Sequence, residues 1–379
     1  MINVTVGVLK AGGAVVLALT LLSAGCSSTA PVGSAPPAGA ASSATPVAPN
    51  ALRPTATSGQ TNAPATVTLT VAHTGSLSNL PTYIALERGY FTAEGLAVQL
   101  EQFRSATDEV APLGTGQLLI GAGGVSAGLF SAIARGIPLR IVADQAHDPP
   151  EFTGTGWVVR KDLLDSGEVK TPKDLRGLTV GIAAPGTTQD PELDVLLRQG
   201  GLTPDDVTMK TVGYADQVAA LANKSIDVTY NFEPNVTIMK ERGIADMWIT
   251  TGQLIPNHMP TVNIYSPMLV EKYPDAAKKW MVGYLKGVRD ATRAYAAPVL
   301  SDDIVNIIVK YSTLQDPQLI RKIKLAPINP DGYVYEESLR TDLDYFVRSG
   351  QLAQAPNLSE IVDSSFVDYA IGVLGKFER

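Results

Sequence analysis

Cysteine is almost absent from this sequence: Cys26 is the one thiol in 379 residues. A single cysteine rules out an intrachain disulfide framework. Histidine is nearly as scarce, and His73, His147 and His258 lie too far apart in the chain to build a Cys/His zinc cluster. No metal and no cofactor is therefore expected. Clustered positive charge is missing too, with 30 Lys+Arg against 37 Asp+Glu, a net charge of −7 and no basic run. Phosphate affinity comes from grouped cations that release counterions, so nucleic acid drops out as a partner. What remains for chemistry is oxygen donors, aromatic rings and the backbone. The length accommodates two domains at ~150 residues each, and the 45% hydrophobic content is that of an ordinary globular chain.

Residues 1 to 25 read as a secretory signal. The apolar run Ala14-Val15-Val16-Leu17-Ala18-Leu19-Thr20-Leu21-Leu22 is shorter than the ~20 residues a membrane span needs, and it suits the apolar middle of a targeting segment. Leu22-Ser23-Ala24-Gly25-Cys26 resembles the bacterial lipobox, which implies lipidation of Cys26 and attachment to the outer face of the cell membrane through that lipid alone. Residues 26 to 66 are mostly Ala, Pro, Ser, Thr and Gly with Arg53 as their only charge, too little apolar surface to offset the entropy of ordering. We read them as a flexible tether spanning on the order of 35 Å.

Beyond the tether, short apolar runs alternate with helical patterns. Strands are expected at 67–72, 96–103, 117–121, 139–143, 155–160, 178–183, 207–212, 227–231, 247–250 and 261–265, with helices between them. This alternation argues for parallel sheets with helices on their faces. A long helix over 274–296 is expected from Trp280, Met281, Tyr284, Leu285, Val288, Thr292 and Tyr295, which recur three or four apart as one buried stripe.

The stretch Leu80-Pro81-Thr82-Tyr83-Ile84-Ala85-Leu86-Glu87-Arg88-Gly89-Tyr90-Phe91-Thr92-Ala93-Glu94-Gly95-Leu96 resembles a signature of extracytoplasmic solute-binding proteins of ABC importers. The group in question includes aliphatic-sulfonate, nitrate, taurine and thiamine-pyrimidine binders. Gly128 to Ile141, Asp174-Leu175-Arg176-Gly177-Leu178-Thr179-Val180-Gly181, Gly201-Leu202-Thr203-Pro204-Asp205-Asp206-Val207, Ala220 to Pro234 and Leu358 to Phe366 agree with it in order. One departure is Gly116-Gln117-Leu118-Leu119, where the family usually carries an acid before its third strand. The resemblance implies the two-lobed α/β fold of type II periplasmic binding proteins, with a helical C-terminal part. Mapped here, lobe one would be 67–146 plus 262–379 and lobe two 153–258, joined by two hinge crossings. It also implies an ABC permease and its ATPase as partners of a monomeric binder that signals by closing its lobes.

In such sheets ligands sit beyond the carboxyl ends of strands, where helix N-termini offer free N–H groups. Three Gly/Ser/Thr/Asn turns fit that position and give the candidate residues Ser76, Ser78 and Asn79; Gly124 and Ser126; and Gly186, Thr187 and Thr188. The same residue types also serve as helix caps. Tyr83 and Trp157 are candidate stacking surfaces or core residues, and Tyr230 and Glu233 end a strand at the expected mouth of the cleft. Asn263 and His73 are weaker candidates. Arg104 is the one cation placed for an anion, whereas Asp144, Asp148 and Glu151 would suit a hydroxyl or amine. The expected activity is binding without catalysis. An enzyme of the pyrimidine-precursor or desulfination type on the same fold, or a receptor read by a sensor, are the alternatives.

Overall fold

The structure, a computed structural model, describes residues 66–378. The expected signal segment, Cys26 and the tether up to residue 65 lie outside the described residues. Two five-stranded sheets organise the rest. The first has the order β2-β1-β3-β10-β4, from β1 (Val67–His73), β2 (Leu96–Gln102), β3 (Ile120–Gly124), β4 (Arg140–Asp148) and β10 (His258–Tyr265). The second runs β7-β6-β8-β5-β9, from β5 (Thr155–Arg160), β6 (Thr179–Ile182), β7 (Thr208–Thr211), β8 (Val228–Phe232) and β9 (Ala245–Thr250).

Neither sheet is purely parallel, which corrects the sequence expectation. β1 pairs in parallel with β2 and β3, but β10 runs antiparallel to both β3 and β4. In the second sheet β5 is the odd strand, antiparallel to β8 and β9. The cause is chain routing: β5 and β10 are the first strands made after the chain passes from one sheet to the other, so each enters from the side facing its neighbour sheet. β3 also begins three residues later than expected. Gly116 ends the preceding helix in the left-handed region at φ 76°, and the chain turns through Gln117 before pairing begins.

Each sheet has its own core. Around the first, Ile120, Ala143 and Tyr265 pack with Trp280, Met281, Tyr284, Leu285 and Val288 of the helix Pro274–Ala296. Trp280 is stacked on Tyr284 with ring centroids 4.9 Å apart. Around the second, Trp157, Val180 and Val228 pack with Leu193, Leu196 and Leu197 of the helix Gln189–Gln199. Among the described residues no helix is long and apolar enough to cross a membrane.

The helix Pro274–Ala296 approaches the helix Leu80–Glu87 most closely at Gly287, where a Cβ would stand 2.2 Å from the Pro81 carbonyl oxygen. Gly287→Ala should therefore lower unfolding stability by about 1–3 kcal/mol through overpacking. Gly372→Ala, in a helix with open space at that position, should be neutral or stabilising by up to about 1 kcal/mol. Urea unfolding of the two variants checks the contrast.

Candidate functional site

The chain leaves the first sheet along β4 and returns along β10, and these two strands lie side by side. His258 is opposite Asp148, Thr261 opposite Ala146, Val262 opposite Asp144 and Asn263 opposite Ala143, with register irregularities that leave Gln145 and Val142 without a direct partner position. Strands of this length inside a sheet are normally apolar, yet Asp144, Gln145, His147, Asp148, His258 and Asn263 are all buried. Several of their polar atoms have no hydrogen-bond partner in the protein: both amide atoms of Gln145, both of Asn263, the Thr261 hydroxyl, Asp148 Oδ2 and Asp144 Oδ1. An unmatched buried polar group costs about 1–3 kcal/mol, so a concentration of them marks a surface arranged to meet something else.

The first sequence-predicted turn adjoins this strand pair, because the short 3-10 turn Leu77–Asn79 packs against β4. Its side chains form a local net. The Ser76 hydroxyl shares a hydrogen bond of 2.8 Å with Ser78 and donates to Asn79 Oδ1 at 3.2 Å, which also accepts from the Thr74 N–H at 3.3 Å. That net fixes the Asn79 amide with its oxygen inward. Asn79 Nδ2, buried, is left as a donor without an acceptor.

The second and third turns come from different sheets and touch. Ser126 and Thr187 form an antiparallel bridge, and the Ala127 N–H donates to the Gly186 carbonyl at 3.0 Å. Gly186 sits at φ +79°, a left-handed position that lets its carbonyl turn toward the other sheet. Gly124 ends β3 just before this contact.

Three of the backbone donors at these turns are committed inside the protein, contrary to the expectation that helix-terminal N–H groups there stand free. Ser126 Oγ accepts from the Leu129 N–H as a helix cap, Ala127 N is taken by Gly186, and Asp190 Oδ2 accepts from the Gly186 N–H at 2.7 Å. The first turn of the helix Gln189–Gln199 carries two acids, Asp190 and Glu192, whose charge opposes an anion at that terminus. Thr187 Oγ1 donates to the Ala184 carbonyl and accepts from Gln189 Nε2, each at 3.1 Å, while Thr188 is buried beside them.

The remaining candidates are placed mostly as structural residues. Tyr83 is packed in the core, stacked on Tyr311 at 5.2 Å, its hydroxyl 2.9 Å from His73 Nδ1; burial pushes that phenol up and the imidazole down. Trp157 and Tyr230 meet edge to face at 6.0 Å within the second core, both buried, so neither presents an open stacking face. Glu233 caps the next helix, accepting from the Thr237 N–H at 3.0 Å and from its hydroxyl at 2.9 Å. Arg104 and Glu151 are exposed. Gln145 and Thr261 were not candidates from sequence. The one signal was polar residues interrupting otherwise apolar strands.

Charge completes the description. Seven carboxylates are buried, Glu109, Asp144, Asp148, Asp190, Glu192, Glu233 and Asp342, and among the described residues no lysine or arginine is. Burial pushes the Asp148 carboxyl up to about 7 and the Glu109 carboxyl up to about 8. On the β4–β10 pair itself the buried acids are Asp144 and Asp148, which offer acceptors to a hydrogen-bond donor and no cation to an anion.

Comparison with known proteins agrees with this architecture. The NMT1/THI5 like family matches residues 77–295. The riboflavin-binding protein RibY of Chloroflexus aurantiacus is 24% identical over 302 residues, covering 76% of this chain and 82% of its own. The 4-amino-5-hydroxymethyl-2-methylpyrimidine phosphate synthase of Aspergillus parasiticus is 30% identical over 133 residues, 35% of this chain and 36% of that enzyme. Among solved structures, the periplasmic nitrate-binding protein NrtA of Synechocystis PCC 6803 superposes with a TM-score of 0.66 at 17% identity, over 83% of this chain and 90% of that one. The fold is that of the solute-binding components of ABC importers.

Asp148 makes the site's electrostatics testable. Its folded-state value lies above its usual 3.8, so the folded protein holds this proton longer than the unfolded chain does. The resulting stability falls as pH rises from about 4 to about 7, by at most about 1.4 kcal/mol per pH unit. Asp148→Asn should remove that slope, so that the variant gains on the parent from pH 5 to pH 7 and the gap then levels off. Urea unfolding at four pH values measures it.

Proposed function

From the premise that the chain belongs to the NMT1/THI5-like family, we propose that it is an extracytoplasmic solute-binding protein of an ABC importer. In this reading it captures a small molecule between the lobes, closes, and hands it to the permease and ATPase. It acts as a monomer moored to the membrane by a lipid on Cys26. Binding requires no bond-making, and the protein is not an enzyme.

The solute is a neutral or weakly basic nitrogen heterocycle. The observation that carries this choice is the pairing of unmatched amides with buried carboxylates and no buried cation. Gln145 and Asn263 offer both donors and acceptors, as the imide or aminopyrimidine edge of a heterocycle requires, Asn79 offers a donor, and Asp144 and Asp148 offer acceptors. A sulfonate or nitrate would ask for donors only, and anion sites commonly add an arginine. The likeness to RibY over most of both chains supports a flavin or pyrimidine relative as the guest. The contact between the Ser126 and Thr187 turns supports closure over it, a known use of two-lobed architecture.

A second reading, pyrimidine-precursor synthesis, is favoured by the identity to the Aspergillus enzyme over about a third of each chain. Turnover of a pyrimidine precursor by the purified protein would support it.

A thermal-shift panel of riboflavin, hydroxymethylpyrimidine, nitrate and alkanesulfonates discriminates between solute classes. At 100 times its dissociation constant the true solute should add about 2.7 kcal/mol. Stabilisation by a heterocycle and none by the anions is expected, and the reverse pattern would overturn the assignment. Asn263→Ala and Asn79→Ala should each weaken the heterocycle by roughly 10- to 100-fold, for ~1–3 kcal/mol of lost hydrogen bonding. Without solute the Asn263→Ala variant should melt little lower, since both atoms of that amide lack partners within the protein, whereas Asn79→Ala also removes the acceptor of the Thr74 N–H and Ser76 hydroxyl and should lose stability as well.

A further inference from the structure

His258 opens β10 at the point where the chain returns to the first sheet, and its side chain is 0% exposed. Both ring nitrogens face carboxylates: Nδ1 lies 3.0 Å from Glu192 Oε1 and Nε2 lies 2.9 Å from Asp342 Oδ1. The two acids belong to opposite halves of the molecule. Glu192 is on the helix Gln189–Gln199 of the second core, and Asp342 is on the helix Glu336–Arg348, whose Leu339, Leu343 and Phe346 pack into the first. With Glu192 and Asp342 ionised, each carboxylate only accepts hydrogen bonds, and the ring between them donates from both nitrogens as an imidazolium.

The other groups around it are accounted for. From the helix Thr251–Leu254, Thr251 donates to Glu192 Oε2 at 2.9 Å. From β4, Asp148 stands opposite His258 in the strand register, and His147 lies near Asp148. From β8, the Tyr230 phenol lies near Glu192 and Asp148, with the Tyr214 phenol beyond it. No lysine or arginine is buried among the described residues, so one imidazolium answers three carboxyl groups.

We propose that His258 is a proton-dependent clasp, whose doubly protonated ring ties Glu192 of the second lobe to Asp342 of the first and so holds the two in their joined arrangement. The same seam carries the Ala127–Gly186 bond and the bond from Gln351 Nε2 to Asp190 Oδ2 at 2.9 Å. His258 is thus a positioning residue for the solute-facing strands and does not itself grip the solute. The clasp does not depend on which solute is bound, or on solute binding being the function.

The direction of the pH dependence follows. Burial alone would push His258 down, but Asp342 and Glu192 carry it well above its ordinary value. Burial raises Asp148, Glu192 and Asp342. Each of these shifts comes from burial or from the ring–carboxylate contacts, which parting the lobes would undo, so in this proposal the joined state binds more protons than the separated one. Its advantage is full in acid and declines as pH rises through the raised values.

Nuclear magnetic resonance of the full chain with isotope-labelled histidine tests this, since the protein has only three rings to assign and His73→Gln and His147→Gln identify two. The His258 ring should carry protons on both nitrogens at neutral pH and lose one only at a pH well above that at which an ordinary histidine titrates. Hydrogen exchange of the Ala127 amide, corrected for its intrinsic rate, should lose protection at least tenfold across the same titration. Glu192→Gln should lower the His258 titration and loosen the Ala127 amide at neutral pH while leaving the chain folded. If His258→Gln fails to fold, the unmodified protein and Glu192→Gln still decide the matter. A His258 ring that is neutral at pH 6.5, or Ala127 protection that does not follow its titration, would overturn the clasp.

Discussion

Two strands lying side by side, β4 and β10, bind this molecule into one object, because the only two passages of the described chain that link the sheets early and late both run through them. Their pairing sets β10 antiparallel within the first sheet and brings the exit and the return of the chain to one place. Placed there, a polar residue is buried by both halves of the protein at once. Such a position is expensive for stability and valuable for recognition, which is where Gln145, Thr261, Asn263 and Asp148 are found.

The electrostatic character follows from what was left out of that region as much as from what was put in. Cations stay at the surface, where Arg88 bridges Asp290 and Asp303, Arg348 meets Asp194, and Arg160 holds Asp162 and Asp227. Acids go inside, and each needs a partner or a proton. His258 supplies compensation where β10 begins, between Glu192 and Asp342, while the amides of Gln145 and Asn263 stay uncommitted elsewhere on the same strand pair. The proposed grip on a heterocycle and the proposed response to protonation both rest on this one choice of buried groups.

Much of the fold was readable from local pattern. The stripe from Trp280 to Val288 reports its helix because burying one face of a long amphipathic helix constrains every third or fourth residue. Strands β1, β5 and β6 follow from short apolar runs bounded by turn residues. The reversal of β5 and β10 was not readable, since strand direction is set by pairings such as Ala122 with Asn263, 141 positions apart, and no local propensity encodes it. The site was half visible. The Ser126 and Thr187 turns were found by their composition and do meet, but the N–H groups of Gly186, Ala127 and Leu129 are taken by Asp190, Gly186 and a capping hydroxyl, a fact of packing and not of sequence. Glu192 reads as an ordinary first-turn acid until the fold sets His258 against it. Gln145 hides because an amide between Asp144 and Ala146 gives no period of its own.

The central claim is that the space between the lobes is built for a neutral, hydrogen-bonding guest. Native mass spectrometry of the full chain purified from its own cells, followed by identification of whatever small molecule is released on unfolding, examines this without choosing a ligand in advance. The account predicts a nitrogen heterocycle bound one to one and lost when Asn263 is replaced by alanine. Release of a sulfonate, nitrate or another permanent anion in that ratio would contradict it.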